Sequence, residues 1–162
     1  MSENIHVADE VWLAAASLHR NHPEREDFTI NEIMEQAETA NVTGHRPLRP
    51  GVRVHVCLHC VANKPPNPGR YRMLLETRSG RRRLFRPGDP CHPGRAAGEH
   101  MPKRHEIPIG HGELLDWYVA EYVPRTGADT LDPILALCGL GKGLWANEAA
   151  DDYVQRQRSG WQ

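Results

Sequence analysis

No stretch of this sequence approaches the ~18 consecutive apolar residues that a membrane-spanning helix needs. Its opening, MSENIHVADE, lacks the basic-then-apolar pattern of a secretory signal. The expectation is a cytoplasmic protein with no membrane partner. Cysteine is scarce: Cys57, Cys60, Cys91 and Cys138 are too few for a disulfide scaffold in 162 residues, and a cytoplasmic setting keeps them reduced. Internal repeats and low-complexity tracts are also missing, which excludes a solenoid. An apolar content of 39% supports one modest core, so the length is read as one domain with an extension.

Acidic residues are nearly absent from residues 45–86, where Glu76 stands alone among eleven basic residues. That segment carries +10; since the whole chain carries −1, the remainder carries −11. Such asymmetry is the footprint expected for binding a polyanion. The competing reading is an arginine-rich face paired with the acidic remainder. Arg81, Arg82 and Arg83 fall at an expected hairpin tip, where like charges repel unless a partner neutralises them, and this favours the polyanion.

What the sequence does contain is a succession of short elements. Val7, Val11, Ala14, Ala15 and Leu18 recur at helical period and predict a helix over 7–20, stopped by Asn21-His22-Pro23. In FTINEIMEQAE, Thr29 with Glu32 three residues on is a capping box, and Ile30, Ile33, Met34 and Ala37 form the buried face of a second helix. LRPGVRVHVCLHCVANK has strand-like alternation at Val52, Val54 and Val56, yet Val52, Val56, Cys60 and Asn63 share one helical face. Its length and its position after two helices favour a third helix starting near Pro50. NKPPNPGR is a loop, and YRMLLETRSGRRRLF a two-stranded hairpin turning at Ser79-Gly80.

Three helices followed by a basic hairpin make an α+β winged helix-turn-helix, expected over residues 1–86. Its third helix would enter the major groove and its wing would follow the phosphates. The DNA-binding candidates are Arg53, His55, His59, Asn63, Lys64, Arg81, Arg82 and Arg83. Residues 87–123 read as an extended Pro/Gly-rich arm and an extra helix with Leu114, Leu115, Tyr118 and Tyr122 on its apolar side. A linker, 124–131, leads to a tail, 132–162. The first part is similar in arrangement to winged-helix modules of various bacterial DNA-handling proteins.

The tail, DPILALCGLGKGLWANEAADDYVQRQRSGW, has three glycines among its apolar anchors and is too short for a core of its own. It resembles the toxin-binding segment of Vap-type antitoxins. The matching positions are Asp132, Leu135, Leu137, Gly141, Lys142, Leu144, Trp145, Ala150, Asp151, Tyr153, Val154, Arg158 and Trp161. It departs at Leu140, where serine is expected, and in the added Gly143. The resemblance implies that the tail wraps a PIN-domain ribonuclease toxin through Leu135, Leu137, Leu144, Trp145, Tyr153 and Trp161. Arg156 or Arg158 would then reach the toxin's acidic, metal-holding site. Together the halves imply the antitoxin of a type II toxin–antitoxin pair that regulates transcription from its own operator DNA. The alternative is a stand-alone winged-helix regulator or DNA-processing accessory protein whose tail mediates homodimerisation.

Catalytic and metal chemistry is set aside. Cys57-x2-Cys60 with Cys91 and His92 has the ligand types of a zinc site. However, the pair falls inside an expected helix, and the adjacent Cys91 and His92 point apart, so the cysteines are read as small buried apolar residues. GLGKG is no phosphate loop, because Ala136 stands where the first glycine belongs and Gly143 where Ser or Thr must bind magnesium. The chain reads as a binding protein, not an enzyme, without catalytic residues or a cofactor.

Overall fold

Helix α1 (Val7–Asn21) forms where the apolar spacing placed it, but one stripe does not describe its burial. Trp12, Leu13 and Ala16 are enclosed too, because α2, α3, β3 and α4 all pack on it. The structure, a computed structural model, describes residues 5–125, and the chain divides into a first unit, Met1–Pro124, and a second, Arg125–Gln162. Within the first unit the order is α1, β1 (Phe28–Thr29), α2 (Ile30–Ala40), α3 (Pro50–Val54), β2 (Leu74–Arg78), β3 (Arg81–Leu84) and α4 (Gly112–Trp117). Wide turns of π type extend α3 through His59 and α4 through Tyr122. Three 3-10 turns, Pro93–Arg95, Arg104–Glu106 and Ile109–His111, lie between β3 and α4.

The capping box at α2 is present in both directions. Thr29 Oγ1 accepts from the Glu32 amide at 3.2 Å, and Glu32 Oε2 accepts from the Thr29 amide at 2.8 Å. Arg25 donates to both Glu32 oxygens, at 2.6 and 3.1 Å, and this contact leads in holding the Glu32 carboxyl down to about 2. The helix ends at Asn41, whose φ of 43° is the left-handed conformation asparagine tolerates at a C-terminus.

The sheet is antiparallel, three-stranded and ordered β1-β3-β2. Its first strand is a correction to the two-stranded hairpin expected from sequence: Phe28 and Thr29 pair with Arg82 and Arg81. Two residues are too few to show an alternating pattern. The hairpin also begins at Leu74 rather than Tyr71, because the backbone just before it is engaged elsewhere. The Arg72 amide donates to Glu99 O and the Met73 amide to Cys60 O. Leu74 and Leu75 are both buried, on opposite faces: Leu74 enters the main core, while Leu75 packs with Ala62 and Phe85. At the turn, Gly80 supplies the positive φ of 74° that an L side chain rarely adopts.

Residues 87–112 are no extended arm. Arg95, Pro102 and Ile107 are buried, and Gly98 lies so close to Arg70 that a Cβ there would meet its carbonyl oxygen at 1.8 Å. Arg72 Nε donates to Gly98 O at 2.7 Å. Pro and Gly punctuation rules out regular structure but not burial, and here it lets the chain fold back onto the body. Helix α4 and its extension join the core through Leu114, Leu115, Trp117, Tyr118 and Tyr122: the Tyr118 hydroxyl donates to Phe85 O at 2.5 Å and that of Tyr122 to Leu84 O at 3.1 Å. The described unit is therefore α+β, with four helices and one small sheet, and none of the described helices is long and apolar enough to cross a membrane.

Candidate nucleic-acid interface

Helix α3 starts at Pro50, where the missing N–H costs nothing because the first helical amides have no intrahelical acceptor. Val52, Val56 and Cys60, spaced by four, are fully buried and fix the inward face. Burial also pushes the Cys60 thiol up, so it stays protonated. The N-terminal end is tied to α1: Arg49 donates to Glu10 Oε2 at 2.5 and 3.1 Å and to Ile5 O at 3.2 Å.

The other end is unusual. A helix leaves its last four carbonyls without intrahelical partners, and here buried arginines meet all four. Arg82 Nε donates to Val56 O at 3.2 Å and Nη2 to Cys57 O at 3.4 Å. Arg95 Nη2 donates to Leu58 O at 2.8 Å and Nη1 to His59 O at 2.6 Å. The remaining Arg95 donors reach Lys64 O, Pro65 O and Tyr71 O at 2.7, 3.1 and 2.5 Å. Cations at a helix C-terminus also oppose its dipole. Together these bonds fix the end of α3 and the loop that carries Arg70.

This geometry redistributes the residues that the sequence assigned to DNA. The Arg81–Arg83 triad does not lie free along the hairpin. Arg81 Nε donates to Asp27 Oδ1 at 2.6 Å. Arg82 is 2% exposed and lies 3.1 Å from Glu76, its cross-strand partner. Arg83 makes a bidentate pair with Asp89, both bonds 2.7 Å. Carboxylates within the fold face this charge, and the Arg82 and Arg83 side chains are buried against them. The physical reason is that three carboxylates, distant or local in sequence, converge on β3.

Asn63 and Lys64 are engaged as well. The Asn63 amide donates to Glu76 O at 2.9 Å and accepts from the Glu76 amide at 3.0 Å, which occupies the groups an adenine would need. Lys64 pairs with Glu76 at 3.0 Å. His55 is half-buried with Nδ1 2.8 Å from Gly51 O, and burial lowers its pKa, favouring the neutral ring. The His59 ring packs against it at 4.8 Å. Of the eight candidates, Arg53 alone is exposed and without a hydrogen-bond or ion-pair partner among the described residues.

Two further arginines share that condition and were not singled out from the sequence: Arg46, four residues before α3, and Arg70, in the loop after it. Neighbouring Gly69 packs so closely on His59 that a Cβ would approach it to 3.1 Å, which places this loop beside the end of α3. No acidic residue occurs between Glu38 and Glu76. The exposed arginines without a partner among the described residues thus lie on α3 and in the segments before and after it, not on the hairpin.

The zinc candidates do not converge. Cys57, Cys60 and Cys91 are free thiols, and His92 Nδ1 accepts from the Gly94 amide at 3.1 Å. Among the described residues, no group of three or more His, Cys, Asp or Glu side chains is placed to hold a metal ion. The toxin-binding candidates Leu135, Leu137, Leu144, Trp145, Tyr153, Arg156, Arg158 and Trp161 lie outside the described residues. No protein-family model, curated protein or solved structure matches the chain.

Proposed function

We propose that the first unit is a winged-helix DNA-binding module with α3 as its recognition helix, and that the chain is an antitoxin whose tail binds a PIN-domain ribonuclease. The observation that carries the first half is the order α1-β1-α2-α3-β2-β3 with a β1-β3-β2 sheet, joined to the unpartnered arginines around α3. Arg46 and Arg70 hold phosphates at either end of the helix, and Arg53 reaches a base edge, guanine by preference. The second half rests on the resemblance of residues 132–161 and on a sequence too short and glycine-rich for a core of its own that carries Leu and Trp anchors.

DNA titrations across a salt series test the first half. Arg46→Gln and Arg70→Gln should each weaken binding to every duplex alike and flatten the slope of log K against log salt by ~0.9 per lost phosphate. Arg53→Gln should instead relax selectivity at one base pair, by about 1–3 kcal/mol. Absence of duplex binding at low salt would sink this half.

The tail is tested with the PIN-domain product of an adjacent reading frame. Trp145→Ala should speed dissociation of that complex by about 10- to 100-fold while leaving DNA affinity unchanged. Unchanged dissociation, or a gene neighbourhood without an acidic nuclease, favours the stand-alone regulator.

A further inference from the structure

Among the described residues, the solvent side of α3 carries an exposed apolar pair. Val54 is 42% and Leu58 43% exposed, four residues apart and flanked by Arg53. They stand opposite Val52, Val56 and Cys60, so core burial does not account for them. The other exposed large apolar side chains among the described residues, Ile109 and Val119, lie on different elements.

We infer that Val54 and Leu58 contact thymine 5-methyl groups in the major groove, giving α3 a preference for thymines beside the base pair read by Arg53. This rests on the DNA-binding reading above. The thymine methyl is the apolar group that the major groove presents, and short aliphatic side chains on a helix are matched to it. Charge complementarity selects this occupant: Arg46, Arg53 and Arg70 lack partners among the described residues, and residues 39–75 contain no carboxylate side chain. Two aliphatic side chains in a cationic field are also a small patch beside the ~800 Å² per partner of a standard protein–protein interface. The helix is held at its N-terminal end by Arg49 and at its C-terminal end by Arg82 and Arg95, so the pair is presented on a fixed element, as a specificity contact requires.

The test uses the full chain and duplexes recovered from a random pool. Each thymine of a recovered duplex is replaced in turn by deoxyuridine, which deletes the methyl and keeps every hydrogen-bonding group. Two positions should lose about fourfold in affinity each, the worth of one buried methyl at ~0.8 kcal/mol. Val54→Ala should abolish the thymine-over-uracil preference at one position and Leu58→Ala at the other. Both sites are exposed on a helix and alanine is a strong helix former, so thermal melts should match the parent. Binding that survives with no loss at any uracil, or recovered duplexes without thymine, overturns the inference while the DNA reading stands, and assigns the pair to a protein partner. Equal weakening of thymine and uracil duplexes by the variants overturns it too. Absence of duplex binding removes both.

Discussion

Replacing Arg95 by alanine should destabilise the protein by about 3–5 kcal/mol, more than any surface arginine, although no carboxylate is involved. Its side chain is fully buried, and all five guanidinium N–H donors end on backbone carbonyls: Leu58, His59, Lys64, Pro65 and Tyr71. Removing it leaves Leu58 O with the Cys60 and Val61 amides as donors, while the other four carbonyls lose the guanidinium. Each buried carbonyl left unsatisfied costs about 1–3 kcal/mol, partly recovered where water can enter. Arg95→Lys should restore only a fraction, since an ammonium offers three donors around one point and no planar fork. Urea denaturation followed by circular dichroism measures the loss, and amide exchange should show the deprotected stretch confined at first to residues 58–71. A cost below about 1 kcal/mol for Arg95→Ala would mean that these carbonyls are satisfied without it.

Arg95 also marks where the sequence stops being informative. Helix α1, the Thr29–Glu32 box and the start of α3 at Pro50 were legible, because periodicity and caps act within a few residues. The roles of Arg82, Arg95 and Asn63 were not. The carbonyls that Arg82 and Arg95 meet at the end of α3, and the Glu76 backbone that Asn63 meets, lie 13 to 37 residues away, and an arginine in a sequence looks like a surface cation until those acceptors are placed. One local signal existed: Asp89 follows Arg83 by six residues in an Arg-Pro-Gly-Asp turn, where its carboxylate also accepts from the Arg86 amide at 2.7 Å. Charge counted along the chain located the basic segment but not which of its arginines are paired within the fold. The side chains that look most like phosphate contacts are those the fold uses to hold its own backbone.

Asp9→Asn should stabilise the protein at neutral and alkaline pH and leave it unchanged near pH 4. Asp9 lies in the first turn of α1, 2% exposed, with Oδ2 lacking a hydrogen-bond partner. Burial, reinforced by Glu106 and Glu99 and opposed by His6 and Lys103, raises its pKa from 3.8 to about 6. Between those two values the folded state keeps a proton that the unfolded chain has released, so stability falls as pH rises through this window. Above it the penalty is complete, of order 2–3 kcal/mol for a shift of this size. Asparagine is close to isosteric with the protonated form and has no such window. The stability difference between Asp9→Asn and the parent should therefore grow from near zero at pH 4 to its full value by pH 7.5, worth several degrees in Tm for a unit of this size. Comparing the two proteins at each pH cancels titrations they share, including Glu32, whose depressed pKa makes it lose stability only in acid. A difference that is constant with pH would show that Asp9 is ionised and satisfied in the folded protein, and that α1 tolerates its charge without cost.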